Sequence, residues 1–190
     1  MRIVLASASP RRRELLEMLG VKDLVVSPAC GEEAADPSLP PQELVMALAA
    51  GKAREIAASS RPGDIVIGAD TIVTLEGRIF GKPRTSSEAA AMLRTLSGRT
   101  HEVYTGVCVI ADGSEQLRFE RTLVTFRSLS DEEIAAYIAT GESMDKAGAY
   151  GIQGRAALFA ERIAGDYFNV MGLPLCLLGE MLKEQGVGLL

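Results

Sequence analysis

Residues 64–75, Asp-Ile-Val-Ile-Gly-Ala-Asp-Thr-Ile-Val-Thr-Leu, carry the strongest strand signal in the chain. The unbroken apolar run over residues 65–67 predicts a strand that is buried on both faces, as in the centre of an α/β sheet. We expect this strand to end at Asp70 and Thr71 and to continue over the four residues that follow. The sequence therefore predicts an acidic side chain at the end of a buried strand.

Helix and strand signals alternate along the rest of the chain. Turn and cap residues separate them, such as Pro10 at a first helical position and Asp112 with Gly113 in a hairpin turn. Thr85-x-x-Glu88 and Ser130-x-x-Glu133 each predict a capping box at the start of a helix. The predicted strands cover residues 3–6, 24–26, 64–69 with a continuation over 72–75, 78–80, 101–111, 117–128, 160–163 and 168–171. The predicted helices cover residues 10–19, 41–58, 85–96, 130–138 and 174–185. Interspersed elements with an antiparallel middle section predict an α/β fold with a mixed sheet.

Composition and charge narrow the class of protein. The chain has 190 residues, of which 47% are hydrophobic and 24% charged, which predicts one soluble globular domain over residues 1–190. A net charge of −5 argues against sequence-independent binding of duplex nucleic acid. The N-terminus resembles neither a signal peptide nor a membrane span, so we expect a cytoplasmic protein without a membrane partner. Three scattered cysteines and the single histidine, His101, argue against a zinc site.

A basic turn lies where the first predicted strand meets the first predicted helix. Residues 7–13 read Ser-Ala-Ser-Pro-Arg-Arg-Arg. Free backbone N–H groups and the positive end of the helix dipole favour an anion at this point. The same dipole disfavours three arginines, and a bound polyphosphate would compensate for them. The alternative is a solvated basic turn, and these residues alone leave both interpretations open.

Acidic residues supply a second candidate site. Asp70 follows a buried strand, and side chains at the carboxyl end of such strands point into the ligand crevice of α/β proteins. The alternative is a carboxylate that caps a turn. Glu32 and Glu33 lie together in a loop, and either could join Asp70 as an oxygen ligand for Mg²⁺. Taken alone, the two glutamates fit a solvated surface pair.

Two lysines and a glycine-rich segment complete the candidates. Lys52 lies in a predicted helix and Lys82 in a Gly-Lys-Pro loop, and each by itself fits an ordinary surface lysine. Residues 145–154 contain three glycines and include Gln153, so backbone groups and an amide could reach the edge of a base. The segment matches neither a P-loop nor a dinucleotide-binding fingerprint.

Several of these stretches together resemble one family. The chain is similar to the Maf family over its whole length, and the matching blocks keep the family's order. They are Ser-x-Ser-Pro-Arg-Arg-x-Glu-Leu-Leu at residues 7–16, Gly-Ala-Asp-Thr-Ile-Val at 68–73, Gly-Lys-Pro at 81–83, Leu-Ser-Gly-Arg-Thr-His at 96–101, Met-Asp-Lys-Ala-Gly-Ala-Tyr-Gly-Ile-Gln-Gly at 144–154 and Gly-Leu-Pro-Leu at 172–175.

The resemblance implies a nucleoside triphosphate pyrophosphatase, similar in structure to inosine triphosphate pyrophosphatases. It implies a strongly twisted mixed central sheet flanked by helices, with two lobes around a cleft. It also implies hydrolysis by water at the α-phosphorus, which yields a nucleoside monophosphate and pyrophosphate with the help of Mg²⁺ or Mn²⁺. The pattern resembles the dTTP/UTP branch, with CTP or modified pyrimidine nucleotides as further candidates, and we expect a homodimer.

The resemblance also assigns roles to individual residues. Asp70 matches the catalytic acidic residue and, with Glu32, the metal ligands. The positions linked to substrate choice are Arg11, Thr71 and Gln153, and those of the triphosphate cradle are Ser7, Arg12, Lys52 and Lys82.

Two other functions remain open at this point. The first is a nucleotide-binding regulator of septum formation without essential catalysis, which would need the binding residues but not Asp70. The second is a phosphotransferase, which would need an acceptor pocket that the sequence does not reveal. The position of Asp70 beside Thr71 favours an enzyme, and the resemblance implies a hydrolase of phosphoanhydride bonds.

Overall fold

The computed structural model describes residues 2–30 and 35–189. In chain order the elements are β1 (Ile3–Leu5), α1 (Pro10–Met18), β2 (Leu24–Val26), α2 (Pro41–Ala57), β3 (Ile65–Leu75), β4 (Arg78–Phe80), α3 (Ser86–Leu96), β5 (Thr100–Ala111), β6 (Ser114–Phe126), α4 (Asp131–Ile138), β7 (Ala160–Ala164), α5 (Tyr167–Met171) and α6 (Leu175–Glu184). Short 3₁₀ turns lie at Ala147–Ala149 and Gly154–Leu158. Across residues 2–30 and 35–189, none of the helices has both the length and the apolar character that a membrane span requires.

The strands form a seven-stranded mixed sheet, which confirms the predicted α/β class. The order is β2-β1-β3-β5-β6-β7, and β4 pairs with β3. β1 is parallel to both β2 and β3, whereas β4 is antiparallel to β3 and β7 is antiparallel to β6. The turn between β5 and β6 places Asp112 at a φ of 46° and Gly113 at 81°, the left-handed conformation typical of two-residue hairpin turns.

β3 runs without a break through the point where the sequence predicted an interruption. Its 11 residues are buried except for Asp70 and Thr71, which are half-buried. β1 pairs with residues 65–67 at one end, and β4 pairs with residues 73–75 at the other. Pairing on both sides of the two polar residues keeps the backbone extended through them, so Asp70 lies within the strand and not in a turn.

The described residues group into two compact units. The first unit contains residues 2–30, 35–70, 105–120 and 172–189, and the second contains residues 71–104 and 121–171. Each has its own apolar core. The first core packs α2 against Val4, Val66 and Cys108, and the second surrounds Leu93 and Phe126. The expectation that residues 1–190 form one domain with a cleft stays a prediction.

Two glycines in the first unit allow α2 to lie directly on the sheet. A Cβ atom at Gly68 would stand 2.3 Å from the backbone oxygen of Ala49, and one at Gly106 would stand 2.2 Å from that of Val45. Real Cβ atoms do not approach backbone this closely, so both positions require glycine. The close packing fixes the position of Lys52, one turn along α2 from Ala49.

One predicted strand is wrong. Residues 168–171 form α5 and not an extended segment. The Asp166 carboxylate accepts a hydrogen bond from the backbone N–H of Phe168 at 2.7 Å, which starts the helical turn. Asn169 then donates from its side chain to the backbone oxygen of Val103 and to the hydroxyl of Thr122, both at 3.0 Å. These local and tertiary hydrogen bonds override the strand preference of the sequence.

One predicted helix cap is incomplete. The Thr85 hydroxyl accepts from the N–H of Glu88, as predicted, but the Glu88 carboxylate accepts from the N–H of Arg84 and not from that of Thr85. The predicted box at the start of α4 is complete, because Ser130 and Glu133 each accept a hydrogen bond from the other's backbone N–H.

Candidate active site

Asp70 and Lys52 form an ion pair in the first unit. The Lys52 ammonium donates a hydrogen bond to Oδ1 of Asp70, and both side chains are mostly shielded from solvent. Lys52 projects from α2, whose position is fixed by the close contact at Gly68, two residues before Asp70. Both residues are predicted site residues, and the structure brings them together. The ion pair holds the carboxylate in a defined orientation.

Arg12 is buried at the start of α1, and this was not evident from the sequence. Only 8% of the residue is exposed. Its Nε donates to the backbone oxygen of Gly172 at 2.7 Å, and its Nη1 donates to the Ser7 hydroxyl at 2.9 Å. Ser7 is itself buried, and its hydroxyl also accepts from the N–H of Ser9 at 3.3 Å. Arg12 is therefore part of the protein interior and not of a solvated basic turn.

The electrostatics around Arg12 connect it to Asp70. Burial lowers the pKa of the Arg12 guanidinium, the negative charge of Asp70 opposes that shift, and the positive charge of Arg11 adds to it. No acidic residue lies in the first turn of α1. Lys52 and Arg12 therefore both interact with Asp70, and the first turn of α1 has no carboxylate to balance its arginines. Such an excess of positive charge favours an anionic ligand.

A divalent metal has one described carboxylate available in this region. Among residues 2–30 and 35–189 there is no cluster of three or more His, Cys, Asp or Glu side chains that could hold a metal ion. Mg²⁺ commonly binds through one or two carboxylates together with substrate phosphates, so Asp70 fits the ion as a partner of a nucleotide. Glu32, the other predicted ligand, lies outside the described residues.

The remaining predicted residues belong to the second unit. Thr71 follows Asp70 on β3 and is half-buried. Lys82 is exposed in the loop after β4. That loop is tied to the glycine-rich segment, because the N–H of Gly148 donates to the backbone oxygen of Gly81 at 3.1 Å. Gly148 has a φ of 68° and packs against Val73, where a Cβ atom would stand 3.1 Å from the valine methyl groups. Lys82 and the glycine-rich segment are therefore neighbours.

Gln153 is exposed at the end of the glycine-rich segment, directly before the second 3₁₀ turn. Hydrogen bonds to Glu142 hold the backbone near Gln153. The N–H of Arg155 donates to the Glu142 carboxylate at 3.2 Å, and the Lys146 ammonium donates to the backbone oxygen of Glu142 at 2.6 Å. A Cβ atom at Gly151 would lie 2.7 Å from the Lys146 side chain. The segment therefore presents Gln153 to solvent from a fixed backbone.

His101 takes no part in this arrangement. The side chain is fully buried in the second core, where its Nε2 shares a hydrogen bond with the Tyr150 hydroxyl at 2.8 Å. Burial lowers the pKa of His101 to about 4, so the imidazole is neutral at physiological pH. Its edge contact with Phe126 adds to the packing. The only histidine of the chain is a core residue.

Sequence reasoning missed the role of Gly172. The Gly-Leu-Pro-Leu block matched the family, but nothing in it suggested that a backbone oxygen would hold the Arg12 guanidinium. Gly172 has a φ of 108°, a conformation that favours glycine. A glycine directly before Leu-Pro, between an element end and a helix start, is the only signal that the sequence offers.

In chemical terms, the first unit combines a carboxylate, cations and a helix N-terminus. Asp70 can orient a water molecule and accept its proton, and Lys52, Arg12 and Arg11 can offset the negative charge of a polyphosphate. Phosphoryl chemistry needs positioning and charge stabilisation more than a nucleophilic side chain. The arrangement fits hydrolysis of a phosphoanhydride.

Comparisons with known proteins agree with this chemistry. The profile of the family described as Maf-like protein matches residues 2–185. A dTTP/UTP pyrophosphatase of Moorella thermoacetica is 54% identical over 188 residues, which cover 98% of this chain and 96% of that protein. A dTTP/UTP pyrophosphatase of Bacillus cereus is 51% identical over 184 residues, which cover 96% of this chain and 95% of that protein. The structure of the Staphylococcus aureus Ham1 protein superimposes on this one with a TM-score of 0.50. The superposition covers 97% of this chain and 100% of the Ham1 chain at 13% sequence identity, and it shows the same fold.

Proposed function

The chain belongs to the Maf family, and from that premise we propose that it is a nucleoside triphosphate pyrophosphatase that hydrolyses dTTP and UTP. The products are the nucleoside monophosphate and pyrophosphate. The observation that carries the proposal is the Asp70–Lys52 ion pair, whose carboxylate also acts on the buried Arg12. The names of the two pyrophosphatase relatives support the choice of substrates.

The cationic residues bind the triphosphate. Arg12 is held by Ser7 and Gly172 at the N-terminus of α1, so the guanidinium is positioned before any ligand arrives. An ammonium has three N–H donors, so Lys52 can donate to phosphate oxygens while it is paired with Asp70, and the charge of Arg12 adds to the attraction. We also assign Lys82 to the triphosphate, to which it would add a further positive charge. Pre-positioned donors act most strongly on charge that develops during the reaction.

Asp70 activates the attacking water. The carboxylate accepts a proton from water as the water oxygen forms a bond to the α-phosphorus. The bond between that phosphorus and the oxygen bridging to the β-phosphate breaks, and pyrophosphate leaves with the bonding electrons. The ion pair with Lys52 holds the carboxylate in position for this step. A general base of this kind contributes about 10²–10⁴ to the rate.

A divalent cation, Mg²⁺ or Mn²⁺, would be held by Asp70 and Glu32 together with substrate phosphates. When bound, such an ion stabilises negative charge on the phosphate oxygens and lowers the pKa of a bound water. The chain's own contribution is the carboxylate of Asp70, which Lys52 orients within β3.

Base selection is assigned to Thr71, Gln153 and Arg11. A hydroxyl and an amide can satisfy the donor and acceptor groups of uracil or thymine. Gln153 is exposed without ligand, so its contribution requires that the bound base exclude water from the amide. CTP and modified pyrimidine nucleotides are further candidate substrates.

The proposed function is tested with a panel of nucleoside triphosphates in the presence of Mg²⁺ or Mn²⁺, in which pyrophosphate and orthophosphate are measured separately. We expect pyrophosphate from dTTP and UTP, and at least a 10²-fold loss of kcat in Asp70→Asn with nucleotide binding largely retained. Near-normal turnover of folded Asp70→Asn would remove Asp70 from the mechanism. Binding without any turnover in the wild type would favour the regulator of septum formation instead.

Two properties accompany the proposal and are tested separately. We expect a homodimer, which light scattering coupled to size-exclusion chromatography would distinguish from a monomer by a twofold difference in mass. We also expect a cytoplasmic location, which fractionation of the source cells would check.

A further inference from the structure

A groove in the second unit has no role in the machinery described above. It encloses about 420 Å³ and is lined by residues 74–76, residues 99–102 and Leu123. This volume lies within the range of about 300–1,000 Å³ found for small-molecule sites. Thr74, in its lining, belongs to β3, the strand that also carries Asp70.

Glu102 is the best-positioned acidic group of this groove. Its Oε2 accepts hydrogen bonds from the hydroxyls of Thr74 at 3.2 Å and Tyr104 at 3.4 Å, and its Oε1 pairs with Nε of Arg121 at 3.1 Å. The side chain remains 33% exposed. A carboxylate can accept about four hydrogen bonds, so Glu102 is oriented by the protein and still has capacity for a donor on a ligand.

Donor groups stand on the same groove. The Arg99 guanidinium forms an ion pair with Glu76, and both residues line the groove. Thr100 shares a hydroxyl hydrogen bond with Thr125 at 2.8 Å. Each carboxylate of the lining is paired with an arginine, so the groove suits an uncharged part of a ligand that carries both hydrogen-bond donors and acceptors.

We propose that this groove binds the imide edge of uracil or thymine and that Glu102 accepts the hydrogen bond from the N3–H group. The imide edge presents an acceptor, a donor and an acceptor in a row. Glu102 supplies the matching acceptor, and the guanidinium and hydroxyl groups beside it supply donors. The inference rests on the proposed function, because it assigns the base of the same nucleotide substrate.

The proposed contact separates uracil from cytosine. The ring N3 of cytosine carries no hydrogen and presents a lone pair, which would face the negative Glu102 carboxylate. A site whose acceptor is held in place by the protein discriminates against an analogue that lacks the donor, because that analogue cannot replace the hydrogen bond that the carboxylate makes with water. Glu102 is thus a specificity-determining residue in addition to Thr71 and Gln153.

The main test compares UTP and CTP in the wild type and in Glu102→Gln. We expect the wild type to prefer UTP by at least about tenfold in kcat/KM. Glu102→Gln should bring the ratio to within about threefold, because an amide can present either an acceptor or a donor to N3. The matched control is Glu115→Gln, since Glu115 is 30% exposed and also pairs with an arginine, Arg54. The control should keep the wild-type ratio.

A modified substrate and a second variant test the same contact between Glu102 and N3. The triphosphate of N3-methyluridine should be at least about tenfold poorer than UTP for the wild type, because the methyl group replaces the N3–H donor; equal activity on the two nucleotides would also overturn the inference. Should Glu102→Gln fail to fold, Thr74→Val removes the hydroxyl that orients the carboxylate and should lower the UTP:CTP ratio in the same direction. A wild-type ratio in folded Glu102→Gln, or in Thr74→Val when the first variant does not fold, overturns the inference.

Measurements of nucleotide binding test this inference independently of the proposed function. Calorimetry of UTP and CTP without divalent metal gives an affinity ratio that does not depend on turnover. Equal affinities in the wild type overturn the inference even if both nucleotides are hydrolysed. A preference for UTP that is lost in Glu102→Gln supports it even if the wild type shows no hydrolysis, in which case only the proposed function fails.

Discussion

Replacement of Arg12 by alanine has two effects on stability that are opposite in sign. At the N-terminus of α1 the helix dipole disfavours a positive charge, so its removal should stabilise the protein by about 0.3–1 kcal/mol. The contacts of the buried guanidinium predict the reverse, because Arg12→Ala removes its hydrogen bonds to Gly172 and Ser7. The magnitudes decide which effect prevails.

Hydrogen bonds that involve a charged group contribute about 1.5–3 kcal/mol each, so the two bonds of Arg12 amount to roughly 3–6 kcal/mol. Against this stand the dipole effect and the cost of burying a charge beside Arg11, which also lowers the pKa of the guanidinium. We expect a net loss of about 2 kcal/mol. For a chain of this length, that loss lowers Tm by roughly 4–8 °C.

Thermal unfolding without ligand measures this loss. The control is Arg13→Ala, because Arg13 is 60% exposed and only pairs with Glu17 one turn away, a contact of about 0.3–0.5 kcal/mol. Arg13→Ala should change Tm by less than about 2 °C. Arg12→Lys keeps the charge but not the planar fork, and should give an intermediate Tm with a raised KM. A Tm for Arg12→Ala that equals or exceeds that of the wild type would refute the reasoning.

Three other predictions concern packing, acid stability and base choice. Gly68→Ala should lower Tm sharply or prevent folding, because its Cβ would stand 2.3 Å from a backbone oxygen of α2, whereas Gly179→Ala on the open side of α6 should be neutral or raise Tm. The hydrogen bond from Arg2 lowers the pKa of Asp64 from 3.8 to about 2, so the ionised carboxylate stabilises the fold above about pH 4 and this stabilisation is lost as the pH falls toward 2. In urea titrations, the free energy of unfolding should therefore decline less steeply between about pH 4 and pH 2 in Asp64→Asn than in the wild type. Gln153→Glu should reduce the at least roughly tenfold preference for dTTP and UTP over purine triphosphates in kcat/KM, because it replaces the amide donor by a negative charge; an unchanged preference would assign Gln153 to bracing the loop.

The fold was largely predictable because its main elements are local in origin. The apolar run that became β3 and the cap signals of α4 each depend on a few neighbouring residues. α5 was not predictable, since it depends on the tertiary hydrogen bonds of Asn169. Such contacts join residues far apart in the chain, and no local pattern shows them.

The candidate site was predictable in its residue types but not in its contacts. The basic turn and Asp70 were evident from position and charge. The ion pair between Lys52 and Asp70 depends on the close approach of α2 at Gly68, which only the packed structure reveals. The burial of Arg12 likewise results from a backbone oxygen 160 positions later in the chain.

Hydrolysis of dTTP in ¹⁸O-labelled water tests the central claim most directly, since it locates the phosphorus that water attacks. If Asp70 activates water at the α-phosphorus, mass spectrometry should find the label in dTMP and none in pyrophosphate. Label in pyrophosphate would show attack at the β-phosphorus, and release of labelled orthophosphate would show attack at the γ-phosphorus. Either of these results would contradict the mechanism.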